Sequence, residues 1–313
     1  MKYAARKLIT LIVTLFAISL VVFLAFRLIP GDPALTILGG QSDPAKIEAL
    51  REEMGLNDPL LVQYGRWALG LLHGDLGTSY KYGVTVSSLL SDKILITVFL
   101  TIEAFILMTA ISIPLGIYTA KHANGWIDRF IVILDQIIMA VPPFFSGILI
   151  TYIFGITLRV FVPGGYISWQ TSFGGFLGYL FFPALAIALP KSAMIIKLLR
   201  GTILTESKKD YVRTAYSRGS TTNYVLYRHV LKNAVSPIVT FCGLALSDMI
   251  AGSIIIEQVF GIPGLGKLLV TSIGNRDYPV IEAIIIVIAL IVVLSNVIVD
   301  LINQKIDPRI ELE

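Results

Sequence analysis

Six apolar runs, near residues 8–29, 94–120, 130–158, 176–199, 237–259 and 280–302, set the terms on which this chain can fold. A hydrocarbon core about 30 Å thick is crossed by roughly 20 helical residues, and inside it every backbone polar group must find its partner within the segment, so each run predicts a membrane-spanning α-helix. Composition agrees: 55% of the 313 residues are apolar, 15% are charged, and the mean hydropathy is +0.79. Soluble domains carry about 25% charged residues, and one of this size could not hide so much apolar surface. The first run follows Lys2, Arg6 and Lys7 as a secretory leader would, but it is too long and has no small-x-small cleavage site, so it reads as an uncleaved first span. The single cysteine, Cys242, lies inside an apolar run, which excludes an intrachain disulfide and a thiolate metal cluster.

Basic residues orient the spans. The N-terminus, the turn at 121–129, the segment 197–235 and the C-terminus hold fifteen of the twenty-five Lys and Arg, and six spans put all four on one side. By the positive-inside rule that side, with both termini, is cytoplasmic. The opposite side holds eight, five of them between Pro30 and Lys93, where eight Asp and Glu outnumber them. With a net charge of only +4 and basic residues spread over several loops, there is no nucleic-acid footprint.

Small residues four apart mark helix faces that can approach other helices: Gly147, Thr151 and Gly155; Ala184, Ala188 and Ser192; Gly243, Ser247 and Ala251. Prolines at 142, 143, 183 and 190 predict kinks in the third and fourth spans. Ionisable residues inside spans are costly and so are functional candidates: Glu103, Asp135, Lys191, Asp248 and Glu257, with Glu282 and Arg27 nearer the ends. Asp248 follows Ser247 on a small-residue ridge; it either lines a pathway or pairs with Lys191 to fix two helices. Arg27 is expected to snorkel outward.

Two loops are too elaborate to be linkers. In the external one, 30–93, Asp43 and Pro44 open a helix over 45–54 that Gly55 stops, and a second helix covers 60–72 with Leu61, Tyr64, Ala68 and Leu72 on one face. The turn His73-Gly74-Asp75-Leu76-Gly77 then leads back to the second span. In the cytoplasmic one, 201–236, Asp210 is expected to cap a short helix over 211–218 ended by Gly219. A second helix begins at Thr221 or Thr222 and runs to about Ala234, with Val225, Leu226, Val230, Leu231 and Ala234 as its apolar stripe and Arg228 and Lys232 opposite. Two short basic helices at a membrane face either rest on anionic lipid or dock a soluble partner.

The stretch Asp210-Tyr211-Val212-Arg213-Thr214-Ala215 through Gly219, then His229 to Ala234 and Pro237, resembles the coupling motif of bacterial ABC importer permeases in the dipeptide, oligopeptide and nickel branch. The general motif begins Glu-Ala-Ala and ends Ile-x-Leu-Pro; here Arg213-Thr214-Ala215 stands in the first part, and no proline follows at the second. Further matches run along the chain: Arg27 to Pro33, Gly55 to Leu60 with Gln63-Tyr64, Gly74 to Gly77, Ile255 to Glu257 with Phe260 and Pro263-Gly264, Asn275 to Val280, and Asp307 to Arg309. The long external loop is like that of the first of the branch's two permeases. The resemblance implies an all-α type I ABC importer bundle of six transmembrane helices with cytoplasmic coupling helices. Its parts would be a cytoplasmic N-terminus and first span over 1–29, the external loop over 30–93, a permease core over 94–302 that includes the coupling segment, and a tail over 303–313. Its place would be the bacterial inner membrane.

The resemblance also implies partners: a homologous second permease, two cytoplasmic ATPases that carry ATP and Mg, and an extracytoplasmic substrate-binding protein. Asp210, Tyr211, Arg213, Thr214, Ala215, Arg218 and Gly219 would couple the bundle to the ATPases, with Lys208 and Lys209 adding attraction to an acidic groove. Glu103, Asp135, Ser247 and Asp248 are the candidates for the pathway. Nothing points to a cofactor, metal or catalytic site in this chain itself. The run Gly261 to Lys267 has P-loop spacing, but Leu268 stands where Ser or Thr is needed, Pro263 removes an N–H from the cradle, and the topology places the run outside. His73, His122 and His229 fall in loops and no Gly-x-Ser-x-Gly occurs, which argues against an intramembrane hydrolase. Peptides are the expected cargo; nickel or another small solute, or a scaffold role without transport, are the alternatives.

Overall fold

The computed structural model describes residues 2–28, 33–38 and 43–306. Residues 29–32 of the Arg27 to Pro33 motif and the Asp307 to Arg309 motif lie outside the described residues. Two compact units divide the chain, one over Met1–Ile96 and Pro263–Leu294, the other over Thr97–Ile262 and Ser295–Glu313. All named elements among the described residues are helical.

In the first unit α1 spans Lys2–Leu28, followed by α2 (Pro33–Leu38), α3 (Pro44–Glu53) and α4 (Leu60–Leu72). Asp43 caps α3 by accepting from Ala45 N at 3.1 Å, and Gly55, at φ +64°, turns the chain after it. The short α2 has no counterpart in the hydropathy pattern. The face of α4 differs from the expected stripe: Leu61 and Leu72 are 85% and 83% exposed, while Gln63 is buried and Tyr64 and Trp67 meet Phe23 of α1 edge-on or tilted. Two aromatic rings and a Ser19–Tyr64 hydroxyl bond of 2.9 Å decide the contact over aliphatic periodicity.

Arg27 does not snorkel outward. Its guanidinium lies 4.9 Å over the Phe23 ring, and its Nε is buried without a hydrogen-bond partner. With Gln63, Tyr80 and Glu282 it lines a cavity of about 400 Å³. Burial, reinforced by the Glu282 carboxylate, pushes the Tyr80 hydroxyl up to about 12.

The turn before α5 (Val86–Lys121) is pinned by an acid from far along the chain. Asp277, 1% exposed, accepts from Ser79 Oγ, from Tyr80 N at 2.9 Å and from Lys81 N at 3.4 Å. It sits between α12 (Leu265–Asn275) and α13 (Tyr278–Ile306), whose Leu265, Leu268, Val280 and Ile284 pack with Val86 and Leu90. The P-loop-like glycines are thus accounted for: Gly261, at φ +71°, ends one helix, and Gly264 precedes α12, whose first turn is buried.

In the second unit α6 (Trp126–Ala140) and α7 (Pro143–Ile150), which continues as a π-helical turn over Thr151–Thr157, were expected as one kinked span. They meet at 106°. Val141 and Pro142 each precede a proline and are held extended, at ψ 123° and 144°, so the helix breaks completely. The next helix, α8 (Phe173–Glu206), runs unbroken through Pro183 and Pro190. With α1, α5, α13 and the helical run Thr222–Phe260 it gives five helices long and apolar enough to cross a membrane, and six if the bent pair counts as one.

Beyond α8 lies α9 (Asp210–Ser217). The second helix expected within 201–236 is not separate. Thr221 caps α10 (Thr222–Val225), a π-helical turn covers Leu226–Val230, and α11 (Leu231–Phe260) follows without a gap, so His229 is helical and not in a loop. Its expected stripe is correct in position: Val225, Leu226, Val230 and Ala234 are buried, and Arg228 and Lys232 exposed.

Two of the small-residue ridges are in contact as predicted. Ala184, Ala188 and Ser192 are buried in α8, and Gly147 admits Ile256 and Phe260 of α11. On α11, Gly243 faces Val299 and Ser247 bonds Asn296, both on α13, but Ala251 is exposed. A β-carbon at Gly243 would overlap Val299 Cγ1 and lie 2.9 Å from Val299 Cβ. Gly243→Ala is therefore expected to destabilise by about 1–3 kcal/mol through overpacking. A thermal challenge followed by size-exclusion in detergent reads this as a lower midpoint; an unchanged midpoint would mean that α11 and α13 are farther apart.

Candidate coupling and translocation site

The candidate coupling segment packs through two inward side chains. In α9 only Val212 and Ala215 are buried; Asp210, Arg213, Thr214, Tyr216 and Arg218 are exposed. Asp210 is not the cap. Lys209 takes that position with extended backbone, and Asp210 is the first helical residue, its carboxylate 97% exposed and 3.7 Å from Arg213. An acid there still favours the positive end of the helix, but an exposed pair adds little. Gly219, at φ +83°, receives the chain as it leaves α9, and Ser220 N returns to Ala215 O at 3.3 Å.

What holds α9 is polar. Tyr211 Oη donates to Glu206 Oε1 at 2.8 Å, Asn233 Nδ2 donates to Tyr211 Oη at 3.0 Å, and Lys209 Nζ lies 2.7 Å from Glu206 Oε2. Glu206 ends α8 and is 7% exposed; Asn233 lies in the first turn of α11. One tyrosine hydroxyl therefore joins α9 to two long helices at once. Burial is the main cause that pushes the Tyr211 hydroxyl up, while the Glu206 carboxylate holds the Lys209 ammonium above its usual range. Because of that pairing Lys209 belongs to the knot, while Arg213 and Arg218 are exposed outside it.

Six residues before Glu206, Arg200 fastens α8 to α6. Its Nε and Nη2 donate to the Asp128 carboxylate at 2.6 and 2.7 Å, and Asn124 N donates to the same carboxylate at 2.8 Å. Asp128 is 2% exposed. Reading Arg200 as one more orienting charge missed this bidentate pair, and Glu206 was missed as the end of an apolar run. The signal available was spacing: Glu206 stands three residues from Lys209, at helical contact distance.

The four pathway candidates separate. Ser247 Oγ donates to Asn296 Oδ1 at 2.9 Å and so serves the α11–α13 contact. Asp135 is 4% exposed, and one oxygen of the half-buried Glu103 is shut from solvent without a hydrogen-bond partner. Asp248 alone stands on an open face, its side chain 66% exposed and its Oδ2 2.7 Å from Lys191 Nζ on α8. Glu257 is fully buried and accepts from Thr97 Oγ1 at 2.6 Å. Beyond the Lys191–Asp248 pair, toward the end of α8, lies a groove of about 610 Å³ lined by Met139, Met194, Leu198, Thr205, Glu206 and Phe241. No group of three or more His, Cys, Asp or Glu among the described residues could hold a metal ion.

Residues 112–312 match the family described as binding-protein-dependent transport system inner membrane component, and residues 1–101 match the N-terminal region of such membrane components. The chain is 36% identical over 308 residues to a probable peptide ABC transporter permease protein of Sinorhizobium fredii, covering 98% of each. It is 36% identical over 312 residues to the oligopeptide transport system permease protein AppB of Bacillus subtilis, and 35% over 329 residues to the dipeptide transport system permease protein DppB of Alkalihalophilus pseudofirmus, covering 99% of each chain in both cases. The chain belongs to the family of binding-protein-dependent transport system inner membrane components.

Proposed function

We propose that this chain is the membrane permease subunit of an ATP-driven ABC importer of peptides, forming half of the translocation pathway, with a homologous permease supplying the other half. The knot of Glu206, Lys209, Tyr211 and Asn233 carries the mechanical part of this reading. Motion delivered to the exposed face of α9 reaches α8 and α11 together, and long packed helices move as rigid bodies between two arrangements. Asp210, Tyr211, Arg213, Thr214, Ala215, Arg218 and Gly219 form the coupling segment, of which Ala215 is buried, Tyr211 enters the knot through its hydroxyl, and Arg213 and Arg218 face the ATPases. The density of Lys and Arg around this segment supports a cytoplasmic position for it and for both termini.

The open face of α8 and α11 lines the pathway. An exposed carboxylate at the middle of a membrane-spanning helix costs at least about 2.5 kcal/mol against lipid, so the side on which Asp248 is open faces water or protein. Hydrolysis of ATP with Mg belongs to two ATPase subunits, and cargo arrives from an extracytoplasmic binding protein; this chain supplies neither a catalytic site nor a cofactor. The relatives named for peptide, oligopeptide and dipeptide transport support peptides as cargo.

Affinity purification of the chain from its native membrane in mild detergent is expected to recover a second permease and an ATPase pair. Recovery of the chain alone, or of a complex whose ATPase is not stimulated by a peptide-loaded binding protein, would sink the reading.

A further inference from the structure

Between Leu244 and Ile255 the exposed stripe of α11 is apolar except at one point, and Asp248 is its one charge. Pro237, Leu244, Asp248, Ala251 and Ile255 are all exposed and recur at spacings of three, four and seven, so they share one side of the helix. Asp248 is the midpoint of the 237–259 run. Contacts with α13 through Gly243 and Ser247 fix the rotation of α11 and so hold that stripe outward. Within the ion pair the two partners are unequally placed: the Lys191 side chain is 21% exposed and Asp248 66%, and Lys191 bonds only Oδ2. The Oδ1 of Asp248 accepts no hydrogen bond among the described residues. The open side of the pair is therefore a carboxylate oxygen, with its counter-charge set behind it.

We propose that Asp248 is a transient binding site for the α-ammonium group of a passing peptide, and that Lys191 is the built-in competitor that keeps this binding weak. This rests on the reading of the α8–α11 face as the pathway. Every unmodified linear peptide carries one α-ammonium whatever its side chains, so a single carboxylate among apolar neighbours recognises the class without selecting a sequence. An unpaired carboxylate in a low-dielectric passage would hold a cation too firmly to release it, whereas conduction needs sites strong enough to enter and weak enough to leave. Lys191, already 2.7 Å away, recaptures the carboxylate as the ammonium departs.

The test uses the complete importer in proteoliposomes with its binding protein loaded with radiolabelled tri-L-alanine. The neutral pair Asp248→Asn with Lys191→Gln leaves both side chains polar and removes both charges; uptake is expected to fall about tenfold, and wild-type uptake would overturn the proposal. The swapped pair Asp248→Lys with Lys191→Asp keeps a salt bridge but turns its cation outward. Uptake that stays low supports an ammonium site, and recovery to wild type would reduce the pair to a strut between helices. If the swapped complex does not assemble, the neutral pair decides. Leu244→Cys in a Cys242→Ser background, treated with a membrane-impermeant thiol reagent during turnover, tests the underlying reading separately. No labelling overturns the pathway face and this site with it; labelling together with normal uptake by the neutral pair overturns only the ammonium site.

Discussion

Glu206→Ala is expected to leave the importer assembled and hydrolysing ATP while the peptide moved per ATP falls about tenfold or more. An eight-residue helix is well below the roughly 12–15 residues at which an isolated helix becomes even marginal in water, so α9 borrows its rigidity from what it touches. Val212 and Ala215 supply a small apolar contact; the polar part is the Asn233 amide on the Tyr211 hydroxyl and, above all, the Glu206 carboxylate, which receives the Tyr211 hydroxyl and the Lys209 ammonium. Removing that carboxylate leaves only the Asn233 amide on the Tyr211 hydroxyl, so most of the polar fastening goes with it. The ATPases then still meet the exposed side of α9, but a helix on a slack hinge absorbs the stroke and does not pass it to α8 and α11. Arg213→Glu with Arg218→Glu has the opposite signature. These side chains lie outside the knot, so their reversal weakens the ATPase contact itself, and hydrolysis and uptake fall together. Uptake and hydrolysis measured in one proteoliposome preparation separate the two; a normal ratio for Glu206→Ala would mean that α9 transmits force by another route.

Much of this was legible in the sequence because the bilayer imposes simple rules. Apolar length located α1, α5, α8, α11 and α13, and turn chemistry at Asp43, Gly55, Gly219 and Thr221 placed helix ends that the structure reproduces. The contacts were less legible wherever two rules competed. Val141 and Pro142 each precede a proline, and together they broke a run that hydropathy had counted as one helix. Tyr64 of the expected stripe does make the contact of α4, but with Trp67 beside it and not Leu61 and Leu72, because rings bury more area and can also hydrogen-bond. Charges were the hardest to read. Arg27, Arg200, Glu206 and Asp277 look alike in a sequence, as isolated charges at the edges of apolar runs, yet Arg27 lies over a ring, Arg200 and Glu206 fasten helices, and Asp277 gathers the turn at residues 79–81. Their partners stand from 3 to 198 positions away along the chain, and only the fold brings them together.

The second large effect is expected from Asp128→Ala, which should destabilise the chain by about 3–5 kcal/mol because it leaves the Arg200 guanidinium without its counter-charge in a mostly buried position. The pair is bidentate, at 2.6 and 2.7 Å, and Asn124 N completes the carboxylate's coordination, so the deletion also frees the turn in which Asn124 holds φ +67°. A buried pair is costly to form even though it is costly to break; replacing both members with apolar residues of similar size, as in Asp128→Leu with Arg200→Met, is expected to recover most of the loss. The double variant therefore separates an ion pair that merely fills space from one that positions α8. If the pair only fills space, the double variant regains both stability and transport. If Arg200 sets the position of the α8 end from which Glu206 holds α9, the double variant regains stability in the detergent thermal challenge while uptake stays low, because an apolar contact does not fix helix rotation as a planar two-point bond does. A single variant that loses less than about 1 kcal/mol would place the pair with exposed salt bridges and remove α6 from the lever.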